Sequence, residues 1–188
     1  MAISILVRGE TALFPRPEFV RDLVSYDIMT PRAARGILDA IHWRPSIRWR
    51  VDRIHVLHPV AFAEPIPIGD EASALPLSDV AYVIEAHFEM TAAAAPEERA
   101  GQHAAMFRRR MTSERYFRAP YLGVPGCAAT VSLIEGDLDL PRTMLPSAVD
   151  FGWVVHDVGS DGLLRYFHAK ADRGVITVPA YDDPGLFR

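Results

Sequence analysis

The sequence predicts an α+β protein with a ferredoxin-like βαββαβ core and a small C-terminal antiparallel β extension. Between 3 and 134, the patterns follow one another as strand, helix, strand, strand, helix and strand, which is the split βαβ order. Three short strand patterns follow, FGWVVHDV, LLRYFHAKA and GVITVP, with a turn predicted at 172–174 between the last two. We therefore expect the core over 1–136 and the extension, packed on the core, over 137–188.

Local chemistry places the first helix. Thr30 can cap its free N–H groups, and Pro31 suits the first helical position, which needs no N–H. The helix should run to about His42, whose position in the helical repeat predicts an outward-facing ring. The stripe expected to be buried is Ala34, Ile37, Leu38 and Ile41, and the polar stripe is Arg32, Arg35, Asp39 and His42.

Alternating apolar residues mark the strands of the core. The strand after the first helix places Arg48 and Arg50 on one face and changes phase near Asp52 and Arg53, which predicts a β-bulge. Residues 59–78 are rich in proline and acidic residues and are predicted as a loop or a short irregular hairpin. The predicted core strands are 3–14, in the centre of the sheet, the segment after Pro45, 81–91, and one within 121–134.

The second helix is predicted to start at Pro96. Glu97 and Glu98 then lie in its first turn and the arginines 108–110 in its last, where their charges favour the helix dipole. His103 lies along the edge of the expected buried stripe, from which it can reach the rim of the surface below. That stripe is Ala100, Ala104, Phe107 and Met111.

Composition predicts one globular domain of ordinary size. The chain has 188 residues, of which 49% are hydrophobic and 23% charged. No apolar run approaches the roughly eighteen residues that span a bilayer, and the N-terminal ISILV is too short for a signal peptide. The single Cys127 allows no disulfide framework. We therefore expect a cytoplasmic protein that has no membrane partner.

Positive charge is segregated along the chain, although the net charge is −4. Residues 24–60 and 96–118 each carry six arginines and three acidic residues, whereas 61–95 carries six acidic residues and no Lys or Arg. Arginine forks onto phosphates and stacks on bases, and the predicted core is also the RRM-like arrangement of RNA-recognition modules. The two basic segments therefore suggest an RNA partner. An arginine-rich genome is the alternative explanation of the arginine count.

Four segments together resemble a known family. They are SYDIMTPRAARGILDAIHWRPSIRWRVDRIHVL at 25–57, VAYVIEAHFEMT at 80–91, GQHAAMFRRR at 101–110 and PYLG at 120–123. They resemble the fifth Cas protein family of type I-C CRISPR systems. The resemblance implies a metal-independent endoribonuclease that cuts precursor CRISPR RNA, leaves a 2′,3′-cyclic phosphate and stays bound to the 5′ handle. It also implies the Cascade backbone and large subunits as partners, and target DNA indirectly.

The resemblance implies a catalytic set as well. The family has a Tyr or His just before the Trp that ends the first helix, and a Lys-His pair in the second helix. These positions fall on His42, His103 and Gln102, so glutamine stands where the family has lysine. The chain also lacks the longer basic insertion that the family carries near 61–78. The enzyme is then slow, rescued by Arg99, Arg110 or Arg44, or inactive as a subunit that only caps the 5′ handle.

The same interpretation assigns arginines and aromatic rings to RNA. Arg48, Arg50 and Arg53 would form a phosphate track, and a solvated strand face or inter-subunit ion pairs are the alternative. Gly36 inside a helix is disfavoured, which indicates close approach of a neighbouring strand or of RNA backbone. Packing in the core is the alternative for the two aromatic candidates. The candidate RNA-binding residues are Arg35, Arg44, Arg48, Arg50, Arg53, Arg108, Arg109, Arg110, Tyr26 and Trp43.

No metal or cofactor is expected. His55 and His58 are spaced to lie on opposite faces of a strand, so they do not form a metal cluster with His87. Outside the RNA interpretation, the chain would be a small α+β domain that binds a metabolite or another protein, because many functions share this fold.

Overall fold

A computed structural model describes residues 2–136, 141–159 and 161–187. The strands and helices appear in the order and with the bounds β1 Ile3–Ala12, β2 Leu23–Val24, α1 Pro31–Ile41, β3 Ile47–Val56, β4 Ile66–Ile68, β5 Ala72–Leu75, β6 Leu77–Met90, α2 Ala100–Ser113, β7 Thr130–Ile134, β8 Ala148–Val158, β9 Leu164–Asp172 and β10 Val175–Thr177. The predicted boundary between 1–136 and 137–188 falls on 137–140, outside the described residues.

The fold is α+β, with one large antiparallel sheet and two helices. Seven strands form this sheet in the order β7-β1-β6-β3-β10-β9-β8, and each neighbouring pair is antiparallel. A second, three-stranded sheet has the order β2-β5-β4. The expectation of a central first strand is confirmed, because β1 lies between β7 and β6.

Both helices pack on one face of the large sheet, around Trp49. Its indole ring lies 5.0 Å from the ring of Phe107 in α2, and its Nε1–H donates to the His42 carbonyl oxygen at 2.9 Å, at the end of α1. The apolar stripe expected for α1 is confirmed as buried. Trp49 therefore ties the end of α1 and the middle of α2 to the same strand.

Several local predictions are confirmed. The Thr30 side chain accepts a hydrogen bond from the Ala33 backbone N–H and caps α1. The register between β3 and β6 shifts between Val51 and Arg53, where the β-bulge was expected. The segment 59–78 contains the β4–β5 hairpin, and the turn at 172–174 joins β9 to β10.

The predicted start of the second helix is wrong. The helix begins at Ala100, with Arg99 as its N-cap, so Glu97 and Glu98 precede it and Ala100 is exposed. A turn closed by the Glu98 backbone N–H donating to the Ala95 carbonyl oxygen at 3.0 Å takes the place of the first helical turn. Of the three arginines, Arg110 alone lies in the last turn of the helix.

No close protein neighbour explains why a glycine occupies position 36 within α1. A Cβ built there meets no atom within 4 Å, so the expected approach of a neighbouring strand is wrong. The helices in the described part of the chain include none that is long and apolar enough to cross a membrane.

Candidate active site

The two histidines named from the sequence meet in the structure. His42 follows the last residue of α1, and His103 lies in the first turn of α2, 61 residues later. His42 Nε2 and His103 Nδ1 are 3.1 Å apart, which is a hydrogen-bond distance. The fold therefore brings the two imidazoles into direct contact.

The prediction that His42 faces outward is wrong. The residue is 1% exposed, and His103 is 5% exposed. The helix ends one residue earlier, and His42 adopts extended backbone angles of φ −148° and ψ 104°. Its ring therefore no longer follows the helical repeat on which the prediction rested, and it turns toward His103 of α2.

Burial and positive charge set the protonation state of His42. Burial lowers its pKa to about 4, and the neighbouring charges of Arg110, His103 and Arg44 act in the same direction. Near neutral pH the ring of His42 is therefore neutral. A neutral imidazole carries one lone-pair nitrogen, which can accept a proton.

Glu98 reaches the far side of His103 and was not identified from the sequence. Its Oε1 lies 2.9 Å from His103 Nε2, and the Ser46 hydroxyl donates to the same oxygen at 2.7 Å. The two atoms are within ion-pair distance, but their geometry is not that of an aligned hydrogen bond, so His103 Nε2 is without a hydrogen-bond partner among the described residues. The Ser46 hydroxyl and the Ala95 backbone N–H hold the pKa of Glu98 below its usual range.

The contacts form a chain from Glu98 through His103 to His42. A carboxylate beside Nε2 favours the tautomer in which His103 carries its proton on that nitrogen. His103 Nδ1 then accepts a hydrogen bond from the Nε2–H of His42. The lone pair of the His42 ring is therefore on Nδ1. His42 Nδ1 is buried and has no hydrogen-bond partner among the described residues. It is therefore the atom of the pair that is free to accept a proton.

Gln102 caps its own helix. Its side-chain Oε1 accepts a hydrogen bond from the Arg99 backbone N–H at 3.0 Å, and the side chain is exposed. Gln102, where the resemblance implies a lysine, thus precedes His103 in the chain, and its side-chain oxygen caps the start of α2. Its amide N–H groups are left to donate elsewhere.

Free positive charge and aromatic rings surround the end of α1. Trp43 and Phe117 are 45% and 49% exposed, and their ring centroids are 6.1 Å apart. Arg44, Arg115 and Arg118, which lie within two residues of these rings in the chain, are exposed and form no ion pair with any residue that the structure describes, and the same holds for Arg109 of α2. The sequence interpretation named Trp43, Arg44 and Arg109 and missed the other residues, whose proximity depends on the segment after α2.

The expected arginine track on β3 is largely neutralised. Arg50 Nε lies 2.9 Å from Glu89 Oε2, and Arg53 Nη1 lies 3.1 Å from Glu85 Oε2. Arg48 is exposed and forms no ion pair within the described ranges. The arginines of β3 therefore differ from those at the end of α1 in that two of them are paired with glutamates.

The remaining candidates lie in three different surroundings. Arg35 forms a bidentate ion pair with Asp157 of β8, and Arg108 lies 3.8 Å from Glu135. Arg110 Nη1 donates to the Ile41 carbonyl oxygen at 2.8 Å. The ring of Tyr26 is buried beneath the guanidinium of Arg16, so no face of it is open to a base and the stacking interpretation of Tyr26 is wrong.

Metal-binding side chains do not cluster in the residues that the structure describes, where no three His, Cys, Asp or Glu side chains are placed to hold an ion. His55 instead contacts Glu85, with 2.6 Å between Nε2 and Oε1. His87 Nδ1 lies 2.9 Å from both carboxylate oxygens of Asp52.

Sequence comparisons identify relatives over nearly the whole chain. Residues 2–180 match the profile of a family described as CRISPR-associated protein (Cas_Cas5). A protein of Mannheimia succiniciproducens named CRISPR pre-crRNA endoribonuclease Cas5d is 36% identical over 214 positions, covering 95% of each chain. A protein of the same name from Thermus thermophilus is 32% identical over 219 positions, covering 99% of this chain and 95% of the relative. Both alignments are longer than this chain, so the relatives carry residues that it lacks.

Solved structures share the fold. A crystal structure of a CRISPR-associated protein superposes with a TM-score of 0.82 at 24% identity, covering 96% of this chain and 92% of the other. A functionally uncharacterized protein, SMU1763c from Streptococcus mutans, superposes with a TM-score of 0.80 at 22% identity, covering 96% and 93%.

Proposed function

Because this chain belongs to the Cas5d family of type I-C CRISPR-associated proteins, we propose that it cuts precursor CRISPR RNA without a metal ion and stays bound to the 5′ handle. The name of its relatives, pre-crRNA endoribonuclease, supports this function. The observation that carries it is the direct contact between the imidazoles of His42 and His103. Two imidazoles in contact supply the base and the acid that metal-free RNA cleavage needs.

In this mechanism His42 is the base. Its neutral ring takes the proton of the 2′-hydroxyl, and the 2′-oxygen attacks the adjacent phosphorus to form a 2′,3′-cyclic phosphate. His103 gives a proton to the departing 5′-oxygen. A proton can then pass from His42 Nε2 to His103 Nδ1 across their 3.1 Å contact, which returns both rings to the neutral state. Loss of the His42 Nδ1 proton to water, gain of a proton from water at His103 Nε2 and return of the shared proton to His42 Nε2 then restore the starting tautomers.

Charge on the phosphorane needs stabilisation in a site that lacks the family lysine. Gln102 offers an amide N–H and no charge, so its contribution is smaller than that of an ammonium group. Arg110 and Arg44 lie near enough to depress the pKa of His42, and we assign them this electrostatic role. Because both rings are at most 5% exposed, RNA binding must also move neighbouring side chains to reach them.

RNA binding is assigned first to the unpaired arginines at the end of α1. Arg44 is free of ion pairs among the described residues, and Trp43, its neighbour in the chain, offers an exposed ring. Arg109 of α2 is likewise exposed and free of ion pairs there. Arg108 and Arg110 extend this surface along α2. Arg35, Arg48, Arg50 and Arg53 form a second, weaker group, since three of these four are held by acidic partners.

We also propose a ferredoxin-like core over 1–136 and a β extension over 137–188. The strand order β7-β1-β6-β3 supports the core, since it is the order expected when β1, β3, β6 and β7 are the four core strands. The strands β10, β9 and β8 continue the same sheet, which supports a packed extension. As the holder of the 5′ handle, the chain would act in the cytoplasm with the Cascade backbone and large subunits, and meet target DNA only through them.

Incubation of the protein with its repeat RNA in EDTA tests the function. We expect one cut, a 2′,3′-cyclic phosphate on the upstream fragment, and retention of the downstream fragment by the protein. The variants His42→Ala and His103→Ala should bind this RNA and fail to cut it. Tight binding by the wild-type protein with no cleavage between pH 6 and 9 would overturn the enzyme and leave a subunit that only caps the 5′ handle.

A further inference from the structure

An exposed pair of aromatic rings lies beside the histidine contact. Trp43 directly follows His42, and its ring makes an angle of 32° with the ring of Phe117. Two backbone hydrogen bonds fix the segment of Phe117 to the end of α1: the Phe117 N–H donates to the Ile41 carbonyl at 3.3 Å, and the Arg118 N–H to the Ala40 carbonyl at 2.8 Å. The pair is therefore held in place by the fold rather than by a flexible loop.

The charges around this pair are positive. Arg44, Arg115 and Arg118 are exposed and form no ion pair within the described part of the chain, and the Arg118 guanidinium lies 5.5 Å from the centroid of the Phe117 ring. Asp39 is the acidic group that feels Arg118; burial raises its pKa, and the charges of Arg35 and Arg118 oppose that rise. The surroundings favour an anionic partner.

A second aromatic patch on the same molecule has different surroundings. Trp153 is 54% exposed, and its ring lies 5.6 Å from that of Phe187. The cleft that these two rings line is also lined by Glu18, and Asp150 contacts the neighbouring His168. Exposed rings alone therefore do not distinguish the two patches, whereas the charges do: beside the second, Glu18 contacts Arg16 at 3.7 Å and Asp150 contacts Lys170 at 3.9 Å, so these acids are neutralised.

We propose that Trp43, Phe117 and Arg118 form a stacking site for one unpaired base of the RNA, next to the bond that is cut. Aromatic rings flanked by arginines bind single-stranded nucleic acid by stacking its bases and neutralising its phosphates. The 6.1 Å between the ring centroids is less than about twice the 3.4 Å spacing of stacked bases. The base therefore stacks on the outer face of a ring and does not enter between the two.

This inference rests on the proposed function, and fluorescence can test it separately. Repeat RNAs would carry 2-aminopurine at one position on either side of the cut, with a 2′-deoxy sugar at the cut to prevent cleavage. We expect quenching at one position with wild-type protein. Trp43→Ala should abolish that quenching and weaken binding about ten- to a hundredfold, Phe117→Ala should do so in part, and Trp43→Phe should retain most of both.

The matched control is Trp153→Ala, which removes a similarly exposed indole from a patch whose acids are paired with cations and should change neither signal. Equal binding and quenching by wild-type protein and Trp43→Ala would overturn the stacking site and leave the proposed function standing. Wild-type protein that neither binds nor cuts the repeat RNA would overturn both.

A different observation, at the other side of His103, carries a second inference. The Glu98 carboxylate is held by the Ser46 hydroxyl at 2.7 Å and by the Ala95 backbone N–H at 3.2 Å, and presents Oε1 to His103 Nε2 at 2.9 Å. We infer that Glu98 is a positioning residue that fixes the tautomer of His103. A carboxylate plays this part behind the imidazole of the Ser-His-Asp triad.

Variants of Glu98 test this role. Glu98→Gln should lower the single-turnover cleavage rate at least about tenfold and leave RNA affinity unchanged, whereas Glu98→Asp should recover part of the rate. The pH profile of cleavage should shift with Glu98→Gln. The charged and titratable groups that face the pair are Glu98, Arg110 and Arg44. Ser46→Ala, which keeps the carboxylate and removes its support, should lower the rate less.

Glu97→Gln is the control, because Glu97 is adjacent in sequence and exposed. Nitrogen-15 NMR of the histidine rings measures the tautomer of His103 directly. In Glu98→Gln the proton of His103 should redistribute between Nε2 and Nδ1, whereas the tautomer should not change if Glu98 only supports the fold. An unchanged tautomer and an unchanged pH profile in a folded Glu98→Gln protein would overturn the assignment.

Discussion

The arginines of β3 and the arginines at the end of α1 have opposite electrostatic surroundings. On β3, Arg50 and Arg53 each contact a glutamate of β6. At the end of α1, Arg44 and Arg118 form no ion pair in the described portion of the chain. The first region is a neutralised sheet face, and the second is a positive surface that adjoins the two histidines. Counting arginines along a sequence therefore overestimates the positive charge of a strand whose neighbour supplies acids.

The difference arises from strand register. Glu89 of β6 lies opposite Arg48, and Glu85 lies opposite Arg53. Arg50 lies opposite His87 and reaches diagonally to Glu89. Cross-strand pairs of opposite charge are a common source of sheet stability. The end of α1 instead faces the segment after α2, which brings further arginines.

Removal of the histidines should give the largest contrast between the two regions. His42→Ala or His103→Ala should lower single-turnover cleavage of repeat RNA by about 10²- to 10⁴-fold, because each removes a group that transfers a proton. The double variant Arg50→Gln/Arg53→Gln should change the rate less than threefold. A comparable loss in the double variant would assign the β3 face to the catalytic site.

A lysine at position 102, as the resemblance implies for the family, should raise the cleavage rate. Gln102→Lys places a positive charge beside His103, and one stabilising donor is worth about 10²- to 10³-fold in rate. The gain should be smaller, because the variant loses the hydrogen bond from the Arg99 N–H to the Gln102 side chain. Gln102→Met, which loses the same bond and adds no charge, is the control. Equal rates for the two variants would show that charge at this position has no effect.

RNA affinity should depend on the free arginines rather than on the paired ones. Arg44→Gln/Arg118→Gln should weaken binding and reduce the slope of log K against log salt by about 1.4, since each lost phosphate contact on a single strand contributes about 0.7. Arg50→Gln/Arg53→Gln should leave the slope nearly unchanged. Titrations at several salt concentrations measure both values, and equal slopes in the two double variants would remove the distinction between the regions.

Protonation of His42 should destabilise the fold in a defined pH range. Its pKa is lowered to about 4 in the folded chain, against about 6.5 when unfolded. The unfolded chain therefore binds more protons between pH 6.5 and 4, and the free energy of unfolding falls as the pH drops through this range. The His42 contribution is at most about 3 kcal/mol. Denaturant unfolding of wild type and His42→Gln should differ in pH slope within this range only.

The substitution Gly36→Ala should have the smallest effect of those considered. The Cβ position at Gly36 is open, so Gly36→Ala should stabilise α1 by up to about 1 kcal/mol, raising the unfolding midpoint. The variant should also bind repeat RNA less tightly if RNA backbone approaches there. Higher stability with unchanged RNA affinity would show that the glycine has no role in binding.

Local chemistry predicted most of the elements and part of the site. The cap at Thr30, the bulge before Arg53 and the buried stripe of α1 depend on neighbours in sequence, and all three are confirmed. The predicted orientation of His42 was wrong, because the helix ends one residue earlier than the helical repeat indicated. Glu98 was predicted to lie in the first turn of the second helix and to favour its dipole. Its contact with His103 was missed, because it depends on a turn before the helix that sequence spacing does not show.

The aromatic surface shows the same limit. Trp43 was named from its place in the sequence, but its neighbour Phe117 lies 74 residues further along the chain. Long-range backbone hydrogen bonds at the end of α1 bring the two together. Residues that meet through such bonds carry no common sequence pattern.

A structure of the protein bound to repeat RNA with a 2′-deoxy sugar at the cut most directly tests whether the histidine contact is the cutting site. The scissile phosphate should lie within hydrogen-bond reach of His42 and His103, with Arg44 or Arg110 beside it and an adjacent base on Trp43. A scissile phosphate on the β3 face, with both imidazoles still buried and in contact only with each other, would contradict the account.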